Sequence, residues 1–464
     1  MKFGISALTI NDKHFVFLLL AIMVAVALSV LPFPAVSPVL ILLFGIWIGV
    51  LIVSIFAPDD FKYLLNIYLF GFGLRAFLSF LFYISSFVLK SNYSPGFIFP
   101  NDGWSYSVQG WEILKFAERG IKITMQTFMS DPNMKDFILS GNITQYDYYT
   151  SHVYSISGYS PVTLFFISSL AGSVVILFIY LIARGLFSKN VARISGIFVC
   201  LWPSFILWST QNLKEPIITM FICILLWSIF NIYKHPFPGF LLISAISIWG
   251  LLKISFPYAV IVICAILAAG LFLHTVHMFK NKFISVIIMC AFLLIGVFFF
   301  KEKISSFIFK EKTFSIGSYE SVFKFIDFQR KNRAYGALKF FKNTDVSSLS
   351  RLALFAPLGL LFVIFAPFPW QIGSFAQIIA VPEMILFYIL IPFTLRGIIF
   401  AYKKRFNQSI LLLSIISGVM LFLAAVEGNA GTLFRHRAPV FCLLFIFTAL
   451  GVSLKTKKWL RLYT

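Results

Sequence analysis

The stretch GFIFPNDGWSYSVQGWEILKFAERG, residues 96–120, sets one acid, Asp102, beside Trp104, Tyr106 and Trp111 in a chain that is otherwise strongly apolar. A carboxylate at a membrane surface can take a proton from an acceptor hydroxyl. It can also hold a divalent metal, Mg2+ or Mn2+, that bridges a phosphate. Its plainer role is a helix cap worth about 1 kcal/mol, since Pro100-Asn101-Asp102 reads as a helix entry with Asn101 or Asp102 at the cap. Trp104, Val108, Trp111 and Leu114 recur at helical spacing, whereas Ser105, Gln109 and Glu112 fall mostly elsewhere. The spacing predicts an amphipathic helix with its Trp-rich face at the membrane interface.

Three further places carry charges where apolar residues are expected. In WPSFILWSTQNLKEP (202–216), Lys214 and Glu215 open an apolar run just before Pro216. They read as a snorkelling lysine and an acid at a helix N-terminus, or as a phosphate contact from Lys214 oriented by Glu215. Lys253, in LLKISFPYAV, falls between two apolar halves, and a charge at such depth usually faces a cavity or a partner. If the halves are separate helices, Lys253 lies at their shared outer end with Asp102 and Lys214. In EGNAGTLFRHRAPV (427–440), Arg435, His436 and Arg437 precede another apolar run. Arg binds phosphate bidentately, so Arg435 and Arg437 are candidate phosphate ligands and His436 a polar substrate contact.

These residues must be held by a membrane scaffold. Of 464 residues, 60% are hydrophobic and 12% charged, against about 25% charged in soluble domains. Apolar runs are expected to span at 14–31, 37–56, 63–88, 161–186, 191–209, 215–233, 238–252, 254–275, 282–300, 351–367, 381–401, 408–425 and 437–453. This is an all-α polytopic membrane protein of about 11–13 transmembrane helices. The run Phe15–Val30 leads into LPFPAVSP and reads as a retained helix, not a cleaved signal. Polar inserts at 90–160 and 301–350 are large extracytoplasmic loops with amphipathic helices, and residues 1–464 form one integral membrane domain. The five cysteines sit in apolar runs and read as small buried hydrophobes.

The net charge of +21 is explained by basic cytoplasmic loops, not by nucleic acid. ARGLFSKNVAR, the turn at Lys280 and Lys282, AYKKRF (401–406) and KTKKWLRLYT (455–464) are all basic and expected inside. The first insert carries five basic and six acidic residues and is expected outside. The second carries ten basic and five acidic residues; it reads as a solvated or headgroup-facing loop or as a lid over an anionic lipid. Simple alternation of the spans then sets AYKKRF outside, against the charge rule. Either 351–367 re-enters, the preferred solution, or 238–275 is one long tilted crossing. APFPW (366–370) suggests a rigid bend with Trp370 as an interfacial anchor. No Walker-type Gly loop, zinc spacing or Ser-His-Asp order is present.

An outer-loop acid before an aromatic helix (PNDGWSYSVQGW), the segment IYLIARGLFSKNVARISGIFVCLWPSFILWSTQNLKEPIITMF and a late GTLFRHRAPV together resemble the GT-C superfamily of polytopic glycosyltransferases, including bacterial relatives of the protein O-mannosyltransferases. The likeness is clearest over 60–275. It implies a transferase in the bacterial inner membrane with its active site on the extracytoplasmic face. The sugar would come from a polyprenyl-phosphate donor and pass to a cell-envelope glycan, lipid or protein. Asp102 matches the family's outer-loop catalytic acid, although Asn101 stands where a paired acid is common. Lys214, Lys253, Arg435 and Arg437 would then meet the phosphate. Trp104, Tyr106, Trp111, Glu215 and His436 would contact substrate. The C-terminal part also suits an O-antigen-type polymerase. A flippase of lipid-linked sugars remains as a different class, without the internal repeat such transporters often show.

Overall fold

The computed structural model describes residues 33–88, 102–121, 143–234, 237–279, 319–334, 339–368, 370 and 375–463. The expected spans 14–31 and 282–300, Asn101, Lys280 and Lys282 lie outside the described residues. The described chain is helical, with a lone bridge between Lys339 and Asn429 outside the helices. Among the described residues, seven helices are long and apolar enough to cross a bilayer, or nine if each of two bent pairs is one crossing. The protein is an all-α polytopic membrane protein, as its composition requires. Cys200, Cys223 and Cys442 are buried, but Cys264 is exposed. On a membrane helix a small thiol can face lipid as readily as core.

The chain separates into two compact units, Met1–Val174 with Ser209–Lys214, and Val175–Trp208 with Glu215–Thr464. In the first unit, α1 (Phe33–Phe56) and α2 (Phe61–Val88) are followed by α3 (Asp102–Glu118), α4 (Gln145–Ser157) and the start of α5 (Pro161–Leu186). Lipid tails are as apolar as leucine, so packing and polar cross-links hold such helices together. Tyr68 Oη donates to the Gly45 carbonyl at 2.7 Å, joining α2 to α1. Ser37 and Thr163 pair at 2.7 Å, joining α1 to α5, and Ser79 and Ser169 pair at 2.9 Å, joining α2 to α5.

In the second unit, α6 (Lys189–Leu201) and α7 (Pro203–Ser209) meet at a 60° bend. Pro203 has no N–H to give the preceding turn and pushes Trp202 into extended backbone. Then come α8 (Lys214–Lys234), α9 (Pro238–Ile254), α10 (Phe256–Phe279), α11 (Tyr319–Arg333), α12 (Leu349–Phe365), α13 (Phe375–Lys404), α14 (Phe406–Val426), α15 (Ala430–His436) and α16 (Ala438–Tyr463). α8 and α9 run antiparallel: Ser228 meets Ser244 at 2.7 Å and Trp227 meets Phe240 edge-on. The chain breaks at Ser255, so 238–275 is two helices and not one tilted crossing.

This unit has two chemically different ends. Lys234 Nζ donates to the Gly185 carbonyl at 3.2 Å, which gathers Lys234 with the basic turn 184–193. α13 and α16 run parallel, with Thr394 and Thr448 paired at 2.8 Å, and carry Lys403, Lys404 and Arg405 to the end away from Glu427. The opposite end holds Glu215, Ser255, Glu427 and Arg435, because Arg435 Nε lies 3.1 Å from Glu215 and Tyr258 Oη donates to the His436 carbonyl at 2.7 Å.

α12 stays near that second end. Phe355 meets Phe341 and Phe362 meets Phe340, while Phe340 N–H donates to the Gly428 carbonyl at 2.8 Å. Val363 and Ala366 carbonyls accept from Arg437. The described contacts of α12 are thus with groups near the Glu427 end of the unit. Beyond it, Phe368 stacks on an exposed Trp370 at 4.9 Å.

Candidate functional site

The first unit builds its site from α3, α4 and the Ser209–Lys214 segment. α3 opens on Asp102, an acid in the first turn where the helix dipole favours it. α4 opens on Thr144, whose N–H and Oγ1 both donate to Asp147 Oδ2 at 2.6 and 2.7 Å, a capping arrangement. It ends at Gly158, which takes φ +67°, a region that favours glycine. The two helices touch closely because Gly110 has no side chain; a Cβ there would sit 2.6 Å from Thr150 Cγ2.

That contact sets the phase of α3 and corrects the expected one. The buried residues include Ser105, Tyr106, Gln109, Gly110, Ile113 and Leu114, whereas Trp104, Val108 and Trp111 are only half-buried. Trp111 packs on Tyr154 and Tyr159 of the same unit. α3 therefore turns its Gly110 face to α4, and its tryptophans flank that contact.

Tyr106 stands edge-on to Tyr146 at 4.8 Å, and Lys214 Nζ lies over the Tyr106 ring at 5.8 Å. Asp147 is fully buried. Its Oδ1 has no hydrogen-bond partner among the described residues. Burial pushes its carboxyl up to about 7, against the pull of the Thr144 hydrogen bonds and the Lys214 charge. Asp102 is half-exposed. Asn212 is fully buried; its Nδ2 donates to the Gly103 carbonyl at 3.3 Å, and its Oδ1 accepts from Tyr146 Oη at 3.0 Å. Sequence reasoning named Asp102, Trp104, Tyr106, Trp111 and Lys214 here but missed Asp147 and Asn212. The Thr144-x-x-Asp147 pattern was a visible signal for the first.

The second unit gathers Glu215, Glu427, Arg333, Arg435 and His436. Arg435 Nε is 3.1 Å and His436 Nε2 3.3 Å from Glu215 Oε1. His436 Nδ1 donates to Glu427 Oε1 at 2.7 Å, and Arg333 of α11 also donates to that oxygen. Burial acts to raise the Glu427 carboxyl, but the His436 and Arg333 charges and hydrogen bonds outweigh it and hold it down at about 2. Two carboxylates thus face two guanidiniums and one imidazole. The cluster is a lock between α8, the 427–437 turn and the second loop.

Arg437 behaves differently from Arg435. It is fully buried, donates to the Val363 and Ala366 carbonyls at 3.0 and 2.5 Å, and lies over the rings of Phe434 and Phe441. Its guanidinium satisfies the C-terminal carbonyls of α12. Lys253, in the last turn of α9, is exposed, at the end of the unit that carries Glu427. In the second loop, Arg330 is fully buried and donates to the Phe341 carbonyl at 2.6 Å, and Asp327 accepts from Val346 N–H at 3.0 Å.

No group of three or more His, Cys, Asp or Glu side chains suited to a metal occurs among the described residues. No curated protein matches the chain. Residues 145–300 match the family model of the dolichyl-phosphate-mannose-protein mannosyltransferases, a stretch that includes Asp147, Asn212, Lys214, Glu215 and Lys253. Over those residues this chain is similar to that family, and the match supports a GT-C-like membrane glycosyltransferase that works with a lipid-linked sugar.

Proposed function

We propose that the protein transfers a sugar from a polyprenyl phosphate to a hydroxyl of a cell-envelope acceptor, at the extracytoplasmic face of the inner membrane. The observation that carries this reading is the first unit's buried acid Asp147, which burial pushes up to about 7 against the Thr144 hydrogen bonds and the Lys214 charge, within the stretch that matches the transferase family. In the reaction the acceptor oxygen bonds to the anomeric carbon as the carbon–oxygen bond to phosphate breaks. Asp102 takes the hydroxyl proton. Lys214 neutralises the phosphate that leaves on the polyprenyl chain, which is stabilisation of charge where it develops. Asp147 adds a charge that Lys214 feels only once the carboxyl ionises.

Sidedness rests on charge. In the second unit Arg184, Lys189, Arg193, Lys234, Lys403, Lys404 and Arg405 gather away from Glu427, and the positive-inside rule makes that end cytoplasmic. The test is transfer from undecaprenyl-phosphate mannose by the purified protein in lipid nanodiscs. Asp102→Asn should lower turnover by about 100-fold or more with little change in melting temperature, the usual scale for a lost general base. Full transfer by that variant would overturn the assignment.

A further inference from the structure

Asp102 lies in a helix at the edge of a loop, yet a reacting carboxylate must be held within a fraction of an ångström. What fixes the start of α3 is a second question, and the first unit contains an answer. The Ser209–Lys214 segment is tied to the membrane helices at both ends of its first turn. Ser79 Oγ of α2 donates to the Thr210 carbonyl at 3.2 Å, and Ser169 Oγ of α5 donates to the Ser209 carbonyl at 3.1 Å. Gly172 permits the approach, since a Cβ there would lie 2.7 Å from Ser209 Cβ. The segment is therefore an extension of the membrane scaffold. From it, Asn212 reaches both loop helices: its amide nitrogen holds the Gly103 carbonyl of α3 and its amide oxygen accepts from Tyr146 of α4.

We propose that Asn212, with Tyr146, is a positioning residue that transmits the rigidity of the membrane helices to the first turn of α3 and so to Asp102. Both functions of the amide are used, which makes the orientation of the side chain determinate. The carbonyl of Gly103, which also accepts within its own helix, takes the Asn212 donor on its second lone pair, and the phenol supplies the proton for the amide oxygen. All three groups belong to buried residues, where a hydrogen bond once lost is not replaced by water. The catalytic consequence rests on the reading of Asp102 as the proton acceptor; the mechanical one does not.

The two are separated by two readouts on the full-length protein in nanodiscs. Asn212→Asp keeps the size of the side chain but turns an oxygen towards the Gly103 carbonyl. Hydrogen exchange of the amides in 102–118 should then speed up by about tenfold or more, with peptides of the second unit unchanged. Turnover with undecaprenyl-phosphate mannose should fall by about tenfold or more, while the donor KM stays within about twofold, because misplacement of a reacting group acts on the chemical step. Tyr146→Phe removes only the hydroxyl and retains the ring against Tyr106, so it should give a smaller change of the same kind; it decides the matter if Asn212→Asp does not fold. Wild-type exchange in 102–118 in both folded variants would overturn the proposal, as would acceleration spread evenly over the whole protein. Faster exchange in 102–118 with unchanged turnover would keep the mechanical link and remove Asp102 from the reaction. No transfer by the wild type would defeat the functional reading alone.

Discussion

Asp147 in the first unit and Glu427 in the second are both fully buried carboxyls, yet they are held on opposite sides of their ordinary range. Asp147 has the Thr144 hydrogen bonds and the more distant charge of Lys214, and burial wins. Glu427 has His436 and Arg333 in direct contact, and the partners win. The difference shows what a buried acid is for. One left near neutrality can change charge in the working pH range; one locked by cations holds pieces of the chain together.

The largest effect that sharpens this contrast is on stability. Glu427→Gln should destabilise the detergent-solubilised protein by about 1–3 kcal/mol, since it takes a buried acceptor from His436 and from a partly exposed Arg333. Because the folded-state value, about 2, lies below the ordinary glutamate value of 4.5, the stabilisation is present above pH ~4.5 and is lost as pH falls through about 2. Acid unfolding of the variant should lose that component. A Glu427→Gln protein as stable as wild type would break the contrast.

Asp147→Asn should do the reverse. The folded-state value of about 7 exceeds the ordinary aspartate value of 3.8, so ionisation of Asp147 costs stability as pH rises from about 4 to 7. The asparagine variant should lose that slope and be at least as stable as wild type at pH 8, while turnover falls by about tenfold, some 1.4 kcal/mol. Equal pH–stability curves would show that Asp147 is not held near neutrality. The smallest effect is that of Lys214→Met. It should raise the donor KM by about fivefold, and the pH at which Asp147 titrates should move up, because Lys214 lowers it. An unchanged titration would place Lys214 away from Asp147.

Much of this fold was legible from sequence. Runs of apolar residues locate helices because the backbone in lipid has no other way to satisfy itself, and the break that separates Lys253 from Tyr258 was visible as Ser255 before Phe256-Pro257. The helix starting at Asp102 was visible too, but not which face it buries. A Trp stripe and a Gly110 notch compete for the contact, and only the partner Thr150, forty residues on, decides. Arg435 and Arg437 are chemically identical in sequence. The turn at Arg437 that ends α15 commits one to α12 and leaves the other on Glu215. Asn212 carried no local signal, since both groups it joins are distant in the chain.

The bond from Asn212 to Gly103 spans 109 residues, and that distance is also a delay. A ribosome adding about 5–20 residues per second reaches Asn212 some 5–20 s after it has made Gly103. For that interval the helix that carries Asp102 exists without its anchor, and whatever order it has comes from α4 and the Gly110 contact. The pair α3 and α4 is thus finished twice in time: first when the two helices close on each other, and again when the Ser209–Lys214 segment is synthesised.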